Sequence, residues 1–490
     1  ETMEYRFWDA QKPEDSADSE AVNGKIKARF MDLYDYFRMD SNMDPIILFE
    51  QLCCLLIQLQ DRTAVFFVRE NDPTVRYREL MERFHFSIVN DQVTVNPATF
   101  LDRPELIRRL LDTADGVLEL TQDKKLLLPL LFDFLETILQ ARRSETVGTP
   151  LQTAREIVKL ICESSQPVFA IRTLDPSCGS GAFPLALLEQ AAEKNTLFVD
   201  KIEGLERDEH LRNCVMLMAR FYDPFESRVT VTDGGSPIQI TERSYDFILA
   251  NPPFRTQSLR DREIVGDYLE LPVPTKDTHR AFLQRTLLGL RPGGTSAIIV
   301  PDSFLTHTGS DAIRVRRWMI EEFHCMGIVK LPAYTFYPQA SVNASILFLR
   351  RSQLHERSRS EHGGIFFFTV EIDGRTNDTR RLPVNRNDFD ELRQVWDTRT
   401  SLWHEWREEA RTQNVHGMDV PVQWNHPNFW FGSLEDISRS DYSLLPEQYQ
   451  PVRLLGGPVR DPEEILEEIQ KLGQEIMELT QQLAEAAYDR

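Results

Sequence analysis

No run of eighteen or more apolar residues occurs anywhere in the 490-residue chain, so the sequence offers no membrane-spanning helix. The opening stretch Glu1-Thr2-Met3-Glu4-Tyr5-Arg6 lacks the basic and then apolar pattern of a secretion signal, and it lacks an initiator methionine. Those two absences predict a cytoplasmic protein and a processed or truncated chain. Cysteine is sparse: Cys53, Cys54, Cys162, Cys178, Cys214 and Cys325 lie scattered, without the C-x-x-C pairs of a zinc site or the spacing of a disulfide framework. We expect reduced core or loop residues and no bound metal. Internal repeats, a Walker phosphate loop and a nuclease-like carboxylate cluster are missing as well. Positive charge is also short: 56 Lys and Arg stand against 77 Asp and Glu, a formal net charge of -21. A polyanionic partner would then require a segregated basic face or a second subunit, because nucleic-acid affinity comes largely from cations displacing counterions at phosphates.

What is present is a soluble composition, 41% hydrophobic and 27% charged, in a chain too long for one core. Residues 1–144 read as a helical N-terminal domain. Its stretch from Asp44 to Leu59 starts with a capping Asp and a first-turn Pro and is apolar nearly all round, so it should be buried. Residues 145–352 change to short apolar runs alternating with helical stretches, which predicts a Rossmann-like α/β domain wound on a parallel sheet. The expected strands are Phe169 to Leu174, Phe198 to Leu205, Val229 to Thr232, Tyr245 to Ala250, Thr295 to Val300, Cys325 to Leu331 and Ser345 to Arg350. Residues 353–460 are a mixed α/β region, with a strand expected at Gly364 to Val370. Residues 461–490 form a long helix: Asp461 caps, Pro462 fits the first turn, and Ile465, Ile469, Leu472, Ile476, Leu479, Leu483 and Ala486 make a heptad seam. That seam asks for a helical partner, or folds back on its own chain.

Two motifs carry chemistry. The run Asp175-Pro176-Ser177-Cys178-Gly179-Ser180-Gly181-Ala182-Phe183 follows a strand and opens a helix. Gly179 and Gly181 permit a sharp turn and close approach to a ligand, and the helix start offers unpaired N–H groups to a carboxylate. With Asp175 available to an ammonium, an amino-acid moiety fits there better than a pyrophosphate. Glu206 ends the next strand 31 residues later, where a doubly wound nucleotide site places a carboxylate on ribose hydroxyls. Asp208 is expected to cap the helix after it. Asp233 ends the third strand and suits either the adenine of the same ligand or a plain turn. Cys178 reads as a small loop filler and not a nucleophile. The second motif, Asn251-Pro252-Pro253-Phe254, stops a strand at the ligand crevice. The Asn251 amide oxygen and the Pro252 carbonyl can accept both protons of an exocyclic amino group, Pro253 helps hold the turn, and Phe254 supplies a face for stacking. Downstream, Arg255, Arg260, Arg262, Lys276 and Arg280 make a loop over the substrate or a solvated surface loop.

This ordered pair of motifs resembles the N6-adenine DNA methyltransferases in which the donor motif comes first, and most of all the modification subunit of type I restriction-modification systems. Thr149-Pro150 before a helix is similar to that family's element flanking the donor pocket, although Val147-Gly148 stands where an aromatic is usual. Leu290 to Gly294, Pro301 to Leu305, Gly327 to Pro332, Phe336 and Val342 to Leu347 are similar to its later sheet segments. The resemblance implies S-adenosylmethionine as methyl donor, held by Thr149, Pro150, Asp175, Ser177, Gly179, Gly181, Phe183, Glu206 and Asp233. It implies transfer to adenine N6 in DNA at Asn251, Pro252, Pro253 and Phe254, with the adenine flipped out of the duplex. It further implies a hetero-oligomer in which a DNA-specificity subunit meets the C-terminal helix, and in which a restriction or translocase subunit does any cleavage. Other readings remain: transfer to guanine N2 of RNA or to a protein glutamine, N4-cytosine methylation, or a non-catalytic donor-binding scaffold or sensor.

Overall fold

The computed structural model describes residues 16–40, 44–60, 72–90, 101–142, 148–163, 171–193, 199–222, 228–234, 240–253, 271–340, 342–352, 364–409, 413–415, 418–420 and 426–451. Phe254, the arginines at 255, 260 and 262, and the heptad helix expected at 461–490 lie outside them. The chain groups into two units, residues 1–406 with 426–450 and residues 407–425 with 451–490. Within the second, Gln413–Val415 and Met418–Val420 pair antiparallel. Everything below concerns the first.

Its centre is a nine-stranded, mostly parallel sheet. Strands β1 (Ile171–Asp175), β2 (Val199–Glu206), β3 (Val229–Asp233), β4 (Tyr245–Ala250), β5 (Leu290–Pro301), β6 (Phe323–Lys330), β7 (Ala344–Arg351) and β8 (Ile365–Thr369) are joined by β13 (Phe429–Gly432). Their order is β13-β8-β6-β7-β5-β4-β1-β2-β3. Strands β3, β2, β1, β4 and β5 run parallel, and β7 is antiparallel to both of its neighbours, β5 and β6. Every residue of β4 is buried, as a central strand covered on both faces requires. All seven expected strands are present, with ends shifted by up to five residues. Two further strands from beyond residue 352, β8 and β13, extend the same sheet. Between β8 and β13 the chain forms a separate hairpin, β9 (Asp373–Arg375) with β10 (Pro383–Asn387), and then the short antiparallel pair, β11 and β12, described above.

Helices Ser16–Asp40, Pro45–Gln60, Pro73–Asn90, Pro104–Leu120 and Lys124–Ala141 form the N-terminal layer. Asp44 caps the second through Ile46 N–H at 3.1 Å, as expected from the Asp-Pro start. This helix packs on helix Glu209–Tyr222, which follows β2. The fully buried Glu50 binds that neighbour, with His210 Nδ1 at 2.9 Å and Asn213 Nδ2 donating at 3.3 Å. Arg142 adds ion pairs to Asp44 at 2.7 Å and to Asp208 at 3.7 Å. None of the six cysteines is in a disulfide and five are buried, so those five fill interior space. Among the described residues no helix is long and apolar enough to cross a membrane.

The segment from Leu434 to Tyr449 returns to the sheet's carboxyl edge through Arg316 on helix Ser310–Glu322. Its buried guanidinium donates to the carbonyls of Tyr442 at 2.7 Å, Asp441 at 3.3 Å, His307 at 2.9 Å and Phe304 at 3.1 Å. Asp441 and Tyr442 both take left-handed φ values, 52° and 53°, to present those oxygens. Burial without a carboxylate partner pushes the Arg316 pKa down to about 10. Replacing Arg316 by Met strands four carbonyls at once, and we expect a loss of about 3–4 kcal/mol of unfolding free energy. Urea denaturation checks this; a loss below about 1 kcal/mol would mean that water satisfies those oxygens equally well.

Candidate active site

The chain runs outward from β1 to β2 and β3, then crosses back to β4 on the other side of β1. Loops leaving β1 and β4 therefore diverge, and a crevice opens at their carboxyl ends, where ligands of open α/β sheets bind. Leu174 of β1 is level with Ile248 of β4, so Asp175 and Asn251 stand at the mouth of one crevice. Glu206 and Asp233, paired in register, end β2 and β3 on the same edge.

The loop after β1 is held by backbone contacts. Gly179 and Gly181 have φ values of +52° and +86°, and a Cβ on Gly181 would lie 2.6 Å from Val215 Cγ1. Cys178 N–H donates to Leu205 O at 2.9 Å, and Ser177 N–H to Asp175 Oδ1 at 3.1 Å. Glu206 braces the turn: Oε2 accepts from Gly179 N–H at 3.0 Å and Oε1 from Asp208 N–H at 2.9 Å. Asp208 caps helix Glu209–Tyr222 by accepting from His210 and Leu211 N–H at 2.9 and 3.2 Å, as the sequence suggests. The Cys178 thiol is buried and its pKa is driven well up, first by desolvation and then by Asp175 and Glu206. A neutral thiol is no nucleophile.

Asp175 is 2% exposed, and burial pushes its pKa up to about 8, with the Ser177 N–H opposing and Glu206 reinforcing the shift. The folded chain thus holds a proton that the unfolded chain, near 3.8, has released. The corresponding stabilisation is full below about pH 4 and is lost as pH rises through 8. Such a carboxyl is poised to ionise when a cation enters beside it.

Of the remaining expected residues, Thr149 is buried and Pro150 half-buried just ahead of helix Leu151–Glu163, whose Ala154 N–H bonds Pro150 O at 3.0 Å. Phe183 is buried in the first turn of helix Ala182–Glu193. Ser177 Oγ is buried, and among the described residues no side chain or backbone group pairs with it. Asn251 and Pro252 are buried and Pro253 is exposed. Asp233 is solvent-facing, 3.8 Å from Arg212, which also donates to Glu206 O at 2.8 Å. Arg280, expected in a loop over the substrate or a solvated surface loop, is instead buried in the first turn of helix Thr278–Leu288. There it pairs with Asp277 at 3.1 Å and Asp311 at 3.6 Å, because a buried guanidinium needs carboxylate partners. Lys276 is exposed.

Sequence reasoning missed a cluster round Glu136 on helix Lys124–Ala141. Gly148 N–H donates to Gln339 Oε1 at 2.9 Å, and Gln339 Nε2 donates to Glu136 Oε2 at 2.8 Å. A Cβ on Gly148 would lie 2.8 Å from Glu136 Oε1, which accounts for glycine beside Thr149. Burial raises the Glu136 pKa, opposed by Ser180 of the glycine loop and by Gln339. No local signal could find this cluster, since Glu136 and Gln339 are 203 residues apart.

Comparison with known proteins places this geometry. A family model described as N-6 DNA Methylase matches residues 130–453. Over 242 residues the chain is 25% identical to the type I restriction enzyme StySPI methylase subunit of Salmonella potsdam, covering 45% of this chain and 44% of that one. The chain thus spans about half the length of the curated relatives it matches. Its fold is similar to the type I restriction-modification methyltransferase subunit from Streptococcus thermophilus, with TM-score 0.59, 14% identity, and coverage of 87% of this chain and 99% of that chain. It is also similar to a chain from a study of complex assembly and conformational transition in the type I R-M system, with TM-score 0.55, 19% identity, and coverage of 96% and 99%.

The brace makes the glycine loop sensitive to a single methyl group. Gly181→Ala combines a left-handed φ with a clash against Val215, and should cost on the order of 2–4 kcal/mol of stability. A thermal midpoint within a degree of the unaltered protein would show that the loop tolerates another conformation.

Proposed function

The chain belongs to the N-6 DNA Methylase family, and from that membership we propose that it transfers a methyl group from S-adenosylmethionine to N6 of adenine in DNA. We further propose that it acts as the modification subunit of a restriction-modification or phage-defence complex. The observation that carries this reading is the adjacency of β1 and β4, which sets Asp175 and Asn251 at one crevice.

The residues present fit the donor. Asp175, protonated in the free protein, gains its charge against the ligand ammonium. The unpaired N–H groups at the start of helix Ala182–Glu193 suit the carboxylate, and the unpaired Ser177 Oγ is a further polar contact. Gly179 and Gly181 present no Cβ at two points of the loop, and Phe183 is buried in the first turn of the helix that follows. Glu206 has lone pairs beyond the two amides it already accepts, and these can take ribose hydroxyls. Thr149 and Pro150 flank the pocket, and Asp233 receives the donor's adenine amino group. When bound, the donor supplies an electrophilic methyl on a sulfonium.

Asn251 Oδ1 and Pro252 O accept the two protons of the target amino group and draw them from the ring plane, which localises the nitrogen lone pair. Phe254 stacks on the base, and Pro253 holds the turn. Held in this way by Asn251 and Pro252, the nitrogen lone pair would be aimed at the electrophilic methyl that a bound donor supplies, with the surplus amino proton free to pass to water. Positioning and electrostatics suffice. The net charge of -21 and the heptad seam at 461–490 support docking of a DNA-specificity subunit on that segment.

Asn251→Ala should lower methyl transfer to DNA by about 100- to 1000-fold while donor affinity stays within about threefold. Labelled donor and unmethylated duplex measure both, with and without the co-purifying subunit; transfer only to RNA or protein would overturn the substrate. Donor binding at pH 7 should also release close to one proton from Asp175, seen calorimetrically as a binding enthalpy that varies with buffer. A buffer-independent enthalpy, or the same dependence in Asp175→Asn, would remove Asp175 from the ammonium site.

A further inference from the structure

The hairpin of β9 and β10 emerges where β8 ends, on the same edge of the sheet as Asn251. Its base is rigid: Asp388 accepts from Glu371 and Ile372 N–H at 2.9 Å each and from Arg386 Nε at 2.7 Å, and buried Asp373 pairs with Arg381 at 2.6 Å. It lies against the segment after β6, where Val370 N–H donates to Lys330 O at 2.9 Å and Tyr334 N–H to Asn377 Oδ1 at 3.4 Å.

In a chain of net charge -21, the hairpin residues 373–387 carry four arginines and two aspartates. The Arg380 and Arg386 side chains are 72% and 56% exposed; among the described residues they pair at the surface with Asp378 and Glu371, where ion pairs are weak and exchangeable, and buried Asp388 also holds Arg386 while leaving its side chain more than half exposed. Apolar groups are exposed alongside. Of the six exposed large hydrophobic residues among the described ones, Leu382 and Val384 lie on this hairpin and Tyr337 on the segment it touches. A two-stranded ribbon is a shape that the major groove of a duplex admits.

We propose that this hairpin is a docking ribbon for the DNA duplex beside the target adenine, with Arg380 and Arg386 on phosphates and Leu382 and Val384 on the groove. This rests on the DNA reading above. Four strand spacings separate β8 from β4, roughly 19 Å at about 4.8 Å each. That distance corresponds to about five or six base pairs of duplex from the flipped base. The ribbon would be the segregated basic element that an acidic chain needs to hold a polyanion.

The test uses the full chain with its co-purifying subunit, titrated into a labelled duplex between 50 and 200 mM salt, for the unaltered protein and for Arg380→Gln with Arg386→Gln. The double variant should flatten the slope of log affinity against log salt by about 2, and Arg380→Gln alone, which leaves the Asp388 base intact, by about 1 with the thermal midpoint unchanged; donor affinity should hold in both. An unchanged slope with methyl transfer to DNA intact overturns the ribbon alone. Loss of the co-purifying subunit from the variant overturns it in favour of protein docking. Unaltered protein that neither binds nor methylates DNA overturns the DNA reading as well.

Discussion

Glu206 accepts a hydrogen bond on each carboxylate oxygen, from Gly179 and from Asp208, and so one side chain at the end of β2 fixes both the loop after β1 and the start of the next helix. Without that brace, two glycines with positive φ would leave the loop among many conformations, at an entropic cost to any ligand. The brace also sets the electrostatics of the crevice. Its negative charge reinforces the burial that keeps Asp175 protonated, so the pocket is held ready for a cation instead of being stabilised in its absence. Structural hold and chemical readiness come from the same carboxylate.

The N-terminal helices reach this centre through two acidic residues in low-exposure surroundings. Glu50 fastens them to helix Glu209–Tyr222, directly after the brace. Glu136 joins the opposite side, through Gln339, to Gly148 and the segment beyond β6. A helical layer that composition describes only as buried and apolar thus clasps both flanks of the crevice. Its polar contacts give register to packing that hydrophobic burial alone leaves non-directional.

Acidity is the second constraint. With 77 acidic against 56 basic residues, the chain's net charge has the same sign as that of duplex DNA, and cations that grip DNA need to be concentrated or borrowed. Several arginines near the site are already committed to structure: Arg280 to Asp277 and Asp311, Arg316 to four carbonyls. Exposed cations on the hairpin and a partner subunit are two sources consistent with that commitment.

The alternation of apolar runs and helical stretches determined the parallel sheet, because a strand covered on both faces must be apolar throughout. The strand-ending motifs made the proposed chemistry legible, since Asp175-to-Phe183 and Asn251-Pro252-Pro253 each keep their candidate residues within a few consecutive positions. Strand order was beyond the sequence: the adjacency of β1 and β4, the antiparallel β7, and the recruitment of β8 and β13 depend on pairings between segments tens to hundreds of residues apart. Only the tertiary structure could turn Glu206 into a brace, bury Arg280 between Asp277 and Asp311, and bring Glu136 to Gln339. Long-range polar contacts leave no periodicity in a chain, whereas burial and turns do.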